Sequence, residues 1–248
     1  MLAIIGGSGL TQLAILEIER RQVVRTPFGE PSGPLIFGRI GGRRVVFVAR
    51  HGYGHTIPPH LVNYRANIWA LKHEAGAQHA ISVASVGGIR KDLGPGTLVV
   101  PDQIIDYTWG RAATFFEGGD AGVVHIDFTQ PYDAAIRHEL LEAARSGGHA
   151  IVDGAVYAAT QGPRLETAAE IDRLEGDGAH LVGMTGMPEA ALAREQELPY
   201  AALCVVANWA AGRLDSTREI SFAQIEDTLQ ASMGRVRDVL ARFCENGC

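Results

Sequence analysis

Seven short runs of strand-forming residues punctuate the chain, with helical patterns or loops between them: "LAII" (2–5), "RVVFVA" (44–49), "HAISVA" (79–84), "TLVV" (97–100), "GAVYAAT" (154–160), "HLVGMT" (180–185) and "YAALCVVA" (200–207). A chain that alternates such runs with helical segments can bury their apolar side chains in few ways. The pattern predicts an α/β fold, with a mixed central sheet flanked by helices. Helices are expected over 59–75, 133–146, 166–175, 188–196 and 221–244. The last has the strongest pattern: Ser221 and Gln224 can form a capping box, and Ile225, Leu229, Met233, Val236, Leu240 and Phe243 follow at spacings of three and four. No repeat, low-complexity tract or linker divides the sequence, so residues 1–248 are expected to form one domain.

Composition excludes several classes of function. A formal net charge of −6 offers no polycationic surface, which argues against general nucleic-acid binding. No stretch approaches the roughly 20 apolar residues of a membrane-spanning helix, and "MLAIIGGSGL" has no basic leader, so a cytoplasmic protein is expected. Cys204, Cys244 and Cys248 form an odd, widely separated set that suggests neither a disulfide framework nor a zinc site.

The chemistry is expected where strands end. "LAII" runs into "GGSG", whose glycines free the backbone for close approach to an anion and whose Ser8 adds a hydroxyl. A dinucleotide fingerprint here would need glycine at Gln12, and a nucleophile elbow would need it at Leu10. "RVVFVA" delivers Arg50 and His51, and Arg50 is suited to bidentate phosphate recognition. Ala84 and Ser85 stand at a third strand end before the flexible turn "SVGGIR", and Thr185 stands between a strand and a helix beginning near Pro188. Convergence of these four ends would build a phosphate pocket. His51, His55 and His60 invite a metal reading, but the glycines and "IPP" between them make a rigid ligand pair improbable, so a loop histidine near an anion is expected instead. Trp69 has helical spacing and apolar neighbours, which suits core or a subunit contact.

Two polar residues interrupt otherwise apolar or turn-like segments. Glu166 follows "TQGPRL", either as a carboxylate in the first turn of a helix or as an acceptor for an N–H of a heterocycle. Asn208 ends the run "LCVVAN", where an unpartnered carboxamide would cost about 1–3 kcal/mol and must meet either protein or ligand.

"IIGGSGL", "TPFGEPSGPL", "ARHGYGHTIPPHLVNYRANIWAL", "GGIRKDLGPGTLVVPDQIIDYT", "HIDFTQPY", "TQGPRLETAAEI" and "VGMTGMPEAALARE", in this order, resemble the trimeric purine nucleoside phosphorylase and 5'-methylthioadenosine phosphorylase family across nearly the whole chain. The resemblance implies a single α/β domain, a homotrimer with sites near subunit interfaces, and phosphate-dependent cleavage of an N-glycosidic bond without metal or organic cofactor. It implies phosphate contacts from Ser8, Arg50, His51, the Ala84 backbone and Thr185, and ribose flanked by Ser85 and Met184. Leu165, Glu166 and Asn208 would meet the base, and His125 would be lent by a neighbouring subunit to the 5' end of the substrate.

Departures from the family pattern refine the expected substrate. Methylthioadenosine phosphorylases usually carry Ser at the position of Glu166 and an Asp-x-Asp where this chain reads Asn208, Trp209, Ala210. The Glu and Asn pair is similar to that of phosphorylases taking 6-oxopurines: a carboxylate accepts from N1–H, and a carboxamide donates to N7 while facing O6. At the 5' end, Phe222 replaces a histidine that bonds the 5'-hydroxyl in 6-oxopurine enzymes, and Ile225 follows it. These residues favour a methylthio group over a hydroxyl, at about 0.8 kcal/mol per buried carbon. Together they point to 5'-methylthioinosine, with 5'-methylthioadenosine, inosine and a non-catalytic purine-binding role as rivals.

Overall fold

The computed structural model describes residues 1–119 and 122–246. Eleven strands form a single mixed sheet. They are β1 (Leu2–Gly6), β2 (Glu17–Gln22), β3 (Leu35–Ile40), β4 (Arg43–Ala49), β5 (His79–Gly88), β6 (Leu98–Val100), β7 (Gln103–Asp106), β8 (Ile151–Asp153), β9 (Val156–Ala159), β10 (Leu181–Gly183) and β11 (Tyr200–Trp209). Helices α1 (Tyr64–Trp69), α2 (Ala134–Ser146), α3 (Ala168–Gly176), α4 (Glu189–Glu195) and α5 (Phe222–Asn246) flank it. β1, β4, β5 and β11 run parallel, so their carboxyl ends lie on one edge of the sheet. Ligands of open α/β sheets bind at that edge.

Alternation along β1 sorts its side chains between two cores. Leu2 and Ile4 join the cluster containing the apolar stripes of α2 and α5, while Ala3 and Ile5 join the one containing Ile68 of α1 and Leu192 of α4. Each fully buried aliphatic chain contributes about 1.5–3 kcal/mol, so burial on both faces holds the central strands rigidly. The expected stripe of α5 is buried from Leu229 to Phe243, and the Gln224 N–H donates to Ser221 Oγ at 3.3 Å, the first half of the expected capping box.

All seven expected strands form, with two informative corrections. "SVGG" is no turn: Gly87 and Gly88 belong to β5, and a Cβ at Gly88 would lie 1.9 Å from the Leu93 carbonyl oxygen. Glycine is needed there for close backbone approach within a strand. β11 likewise does not stop at Asn208 but continues to Trp209, its register against β5 shifting between Val206 and Asn208. This bulge, which leaves Ala207 without a partner in β5, ends the alternation seen in the sequence and re-aims Asn208.

The helix expected over 59–75 is broken into a 3-10 turn (Pro59–Leu61), α1 and a π turn (Ala70–Glu74), because Val62 is extended and the Asn63 side chain caps α1 by accepting from the Ala66 N–H. Trp69 is partly buried against His73, with ring centroids 5.0 Å apart. Cys204 and Cys244 are free and buried; Cys248 lies outside the described residues.

Candidate active site

The carboxyl ends of the parallel strands open into a cavity of about 480 Å³, a size typical of small-ligand sites. Ser8, Arg50, His51, Ala84, Ser85, Leu165, Glu166, Met184, Thr185, Asn208, Phe222 and Ile225 all line it. His125 does not line it and is exposed. Sequence reasoning thus identified the walls of one cavity from seven separate segments of chain.

Gly7, Ser8, Arg50, His51 and His55 pack together on one part of the cavity wall. A Cβ on Gly7 would lie 2.5 Å from the Val83 carbonyl oxygen and 2.8 Å from Arg50 Nη1, so glycine lets the first turn close over the guanidinium. Arg50 is fully buried. Contrary to expectation, its fork is not free for a bidentate anion contact: Nε and Nη2 donate to Glu189 at 2.7 and 2.9 Å, Nη2 donates to Ser82 Oγ at 2.5 Å, and Nη1 donates to the Val83 carbonyl at 3.2 Å. Of the five guanidinium N–H groups, one on Nη1 remains for a ligand. Burial opposes the Arg50 charge, but Glu189 outweighs it and holds the arginine above its ordinary range. The Tyr200 hydroxyl donates to Glu189 Oε1 at 2.8 Å and completes the buried pair.

His51 Nδ1 lies 2.8 Å from the Ile57 carbonyl oxygen, which can only accept, so Nδ1 carries the proton. Burial, then the neighbouring Arg50 charge, pushes its pKa down to about 4, so Nε2 is bare at neutral pH. Ser8 Oγ lies 2.8 Å from His55 Nε2, and the His51 and His55 rings are 4.5 Å apart. His55 lines the cavity beside Ser8, whereas His60 does not line it. Ala84 and Ser85 reach the cavity from the middle of β5, not from a strand end, because β5 is longer than its apolar run. Thr185, nearly buried, follows β10.

Glu166 and Asn208 line the same cavity. Glu166 is not in the first turn of a helix. Thr167 caps α3 in a capping box with Glu170, so Glu166 lies just outside the helix, and its carboxylate accepts from the Thr160 hydroxyl at 2.6 Å. Asn208 donates from Nδ2 to the Trp209 carbonyl at 2.6 Å. A carbonyl there requires the NH₂ end, which leaves Oδ1 and the second N–H uncommitted. Phe222 and Ile225 line the cavity where α5 begins, together with Ile220 and Leu229. Phe222 is 71% exposed in the single chain, and Trp109 and Val123, on the segment that leads to His125, are 72% and 79% exposed.

Sequence reasoning missed three supporting residues. Glu189 heads the Ala-rich α4, where a carboxylate reads as a helix-start preference; its lone polarity within "MPEAALA" was the available signal. Thr160, read only as the last residue of the strand run 154–160, directly follows β9. Arg111 donates to the Met184 and Met187 carbonyls at 2.8 and 2.6 Å and to the Gln161 carbonyl at 2.8 Å, stapling the chain after β9 to the chain after β10.

The chain matches the family model described as phosphorylase superfamily over residues 1–245. It is 55% identical over 240 residues to a probable S-methyl-5'-thioinosine phosphorylase of Pseudomonas syringae pv. tomato, covering 97% of this chain and 96% of that one. It is 51% identical over 242 residues to a probable S-methyl-5'-thioinosine phosphorylase of Xanthomonas campestris pv. campestris, covering 98% and 96%. Among solved structures, methylthioadenosine phosphorylase from Schistosoma mansoni in complex with adenine superposes with a TM-score of 0.93 at 32% identity, covering 98% of this chain and 90% of that one. Matched by this family model over residues 1–245 and by these relatives over nearly its whole length, the chain belongs to the phosphorylase superfamily.

Proposed function

We propose that the chain is a pentosyltransferase that cleaves S-methyl-5'-thioinosine with inorganic phosphate, giving hypoxanthine and 5-methylthioribose 1-phosphate. One observation carries the base assignment: Glu166 and Asn208 line the same cavity as Gly7, Ser8, Arg50 and His51. The names of the relatives support the same substrate.

In the proposed reaction, Ser8, the free Arg50 N–H, His51, the Ala84 backbone and Thr185 hold phosphate below the ribose, which Ser85 and Met184 flank. As the glycosidic bond lengthens, the sugar becomes cationic and the purine gains electrons. Phosphate stabilises the first charge, and the free Asn208 N–H donates toward N7 to stabilise the second. Glu166 accepts from N1–H, and Leu165 packs beside the base. Catalysis is electrostatic preorganisation and positioning, with no metal, organic cofactor or covalent enzyme intermediate.

The 5'-methylthio group would lie against Phe222 and Ile225. The exposed Phe222, Trp109 and Val123 support a homotrimer in which a neighbouring subunit covers this end and lends its His125.

The deciding experiment measures phosphate-dependent rates on 5'-methylthioinosine, 5'-methylthioadenosine and inosine side by side. The first should be fastest, and a preference for the adenine compound would defeat the base assignment. 5'-Methylthioadenosine is the second reading, on the likeness to the Schistosoma enzyme. The paired change Asn208→Asp with Glu166→Ser should move selectivity toward 6-amino purines.

A further inference from the structure

Glu166 is held by the fold before any base arrives. The Thr160 hydroxyl donates to its Oε1 at 2.6 Å; the alternative acceptor, the Gly183 carbonyl, is 3.3 Å away and already accepts the Thr160 backbone N–H at 2.8 Å. The single hydroxyl proton is therefore committed to the carboxylate. Thr160 follows β9 directly, so the rotation of the carboxylate about its own bond is set by the sheet.

We infer that Thr160 is a specificity-determining residue that makes Glu166 favour a 6-oxopurine without a 2-amino group over one that carries it. The inference rests on the assignment of Glu166 to the purine N1–H. Hypoxanthine presents one N–H on that edge. Guanine presents N1–H and an exocyclic N–H side by side, a fork that a freely rotating carboxylate meets with both oxygens. With Oε1 tied to Thr160, Oε2 alone is unencumbered, so the second donor of guanine meets an oxygen whose orientation serves the strand. Thr160 acts through Glu166 and is a positioning residue.

The test compares kcat/KM for 5'-methylthioguanosine with that for 5'-methylthioinosine in the wild type, Thr160→Val, Thr160→Ser and Glu166→Gln. Because the readout is a ratio within one preparation, it does not depend on the fraction of protein that folds. Thr160→Val should raise the guanine-to-hypoxanthine ratio about three- to tenfold, the scale of one hydrogen bond, while Thr160→Ser keeps the wild-type ratio. An unchanged ratio in Thr160→Val, with Glu166→Gln depressing both substrates, overturns the inference and leaves the base assignment standing. A Thr160→Ser ratio that moves with Thr160→Val assigns the effect to the methyl group and also overturns it. Wild-type rates on both substrates in Glu166→Gln would sink the base assignment and the inference together.

Discussion

Arg50 and Glu189, 139 residues apart in sequence, form a two-point ion pair at 2.7 and 2.9 Å, with both side chains removed from solvent. The pair fixes the guanidinium, since its fork is committed to Glu189 and one Nη1 N–H is left without a protein acceptor. Removing one partner of such a pair leaves an uncompensated buried charge, which costs about 3–5 kcal/mol. Glu189→Gln should lower stability by that amount, read from the urea midpoint, and raise the KM for phosphate. A midpoint within error of wild type would show that Arg50 is neutralised by something else.

His51 gives stability a pH dependence of definite sign. Its pKa of about 4 in the folded chain lies below the ordinary 6.5, so between these values the unfolded chain binds more protons. The contribution is present above about pH 6.5, declines as pH falls and is lost by about pH 4, with an upper size of roughly 3 kcal/mol. Unfolding free energies over this window should show a slope that His51→Gln reduces. The same slope in the variant would assign the dependence to other groups.

Gly7→Ala tests the anion end directly. The added methyl group would sit 2.5 Å from a backbone oxygen that cannot swing away and 2.8 Å from Arg50 Nη1. The KM for phosphate is expected to rise at least about tenfold, equivalent to about 1.4 kcal/mol, in initial rates at varied phosphate. Wild-type phosphate dependence would mean that the turn does not bound the anion.

Arg111→Lys tests the staple between the ends of β9 and β10. Lysine keeps the charge but lacks the planar fork that reaches several carbonyls at once. Displacements near 1 Å can cost on the order of 100-fold in rate, so kcat/KM should fall by about 10- to 100-fold while thermal unfolding shifts by only a few degrees. Retained kcat/KM would show that the two chain ends hold each other without it.

Part of the cavity wall was legible from residue types: glycines, an Arg-His pair and hydroxyls at the ends of apolar runs marked strand ends that converge on it, whereas Leu165, Met184, Phe222 and Ile225 entered only through the family resemblance. β2, "EIERRQ", was invisible because almost all of it is exposed and it has no apolar face. Gly87 and Gly88 misled because glycine signals turns locally, and the approach of the Leu93 carbonyl that demands Gly88 is a tertiary fact. Glu189 and Thr160 were passed over for a related reason. Each has an ordinary local explanation, and only the folded chain brings Arg50 to one and the Glu166 carboxylate to the other.

In the proposed phosphate site, the bare Nε2 of His51 has a consequence for which oxyanions would be held. With the Arg50 charge matched by Glu189, that nitrogen adds a lone pair to an otherwise donating wall. An anion that brings its own hydrogen, as hydrogen phosphate does, satisfies the imidazole and the donors together. Sulfate has the same shape and charge but no hydrogen to offer at neutral pH, and would set oxygen against nitrogen with nothing between them.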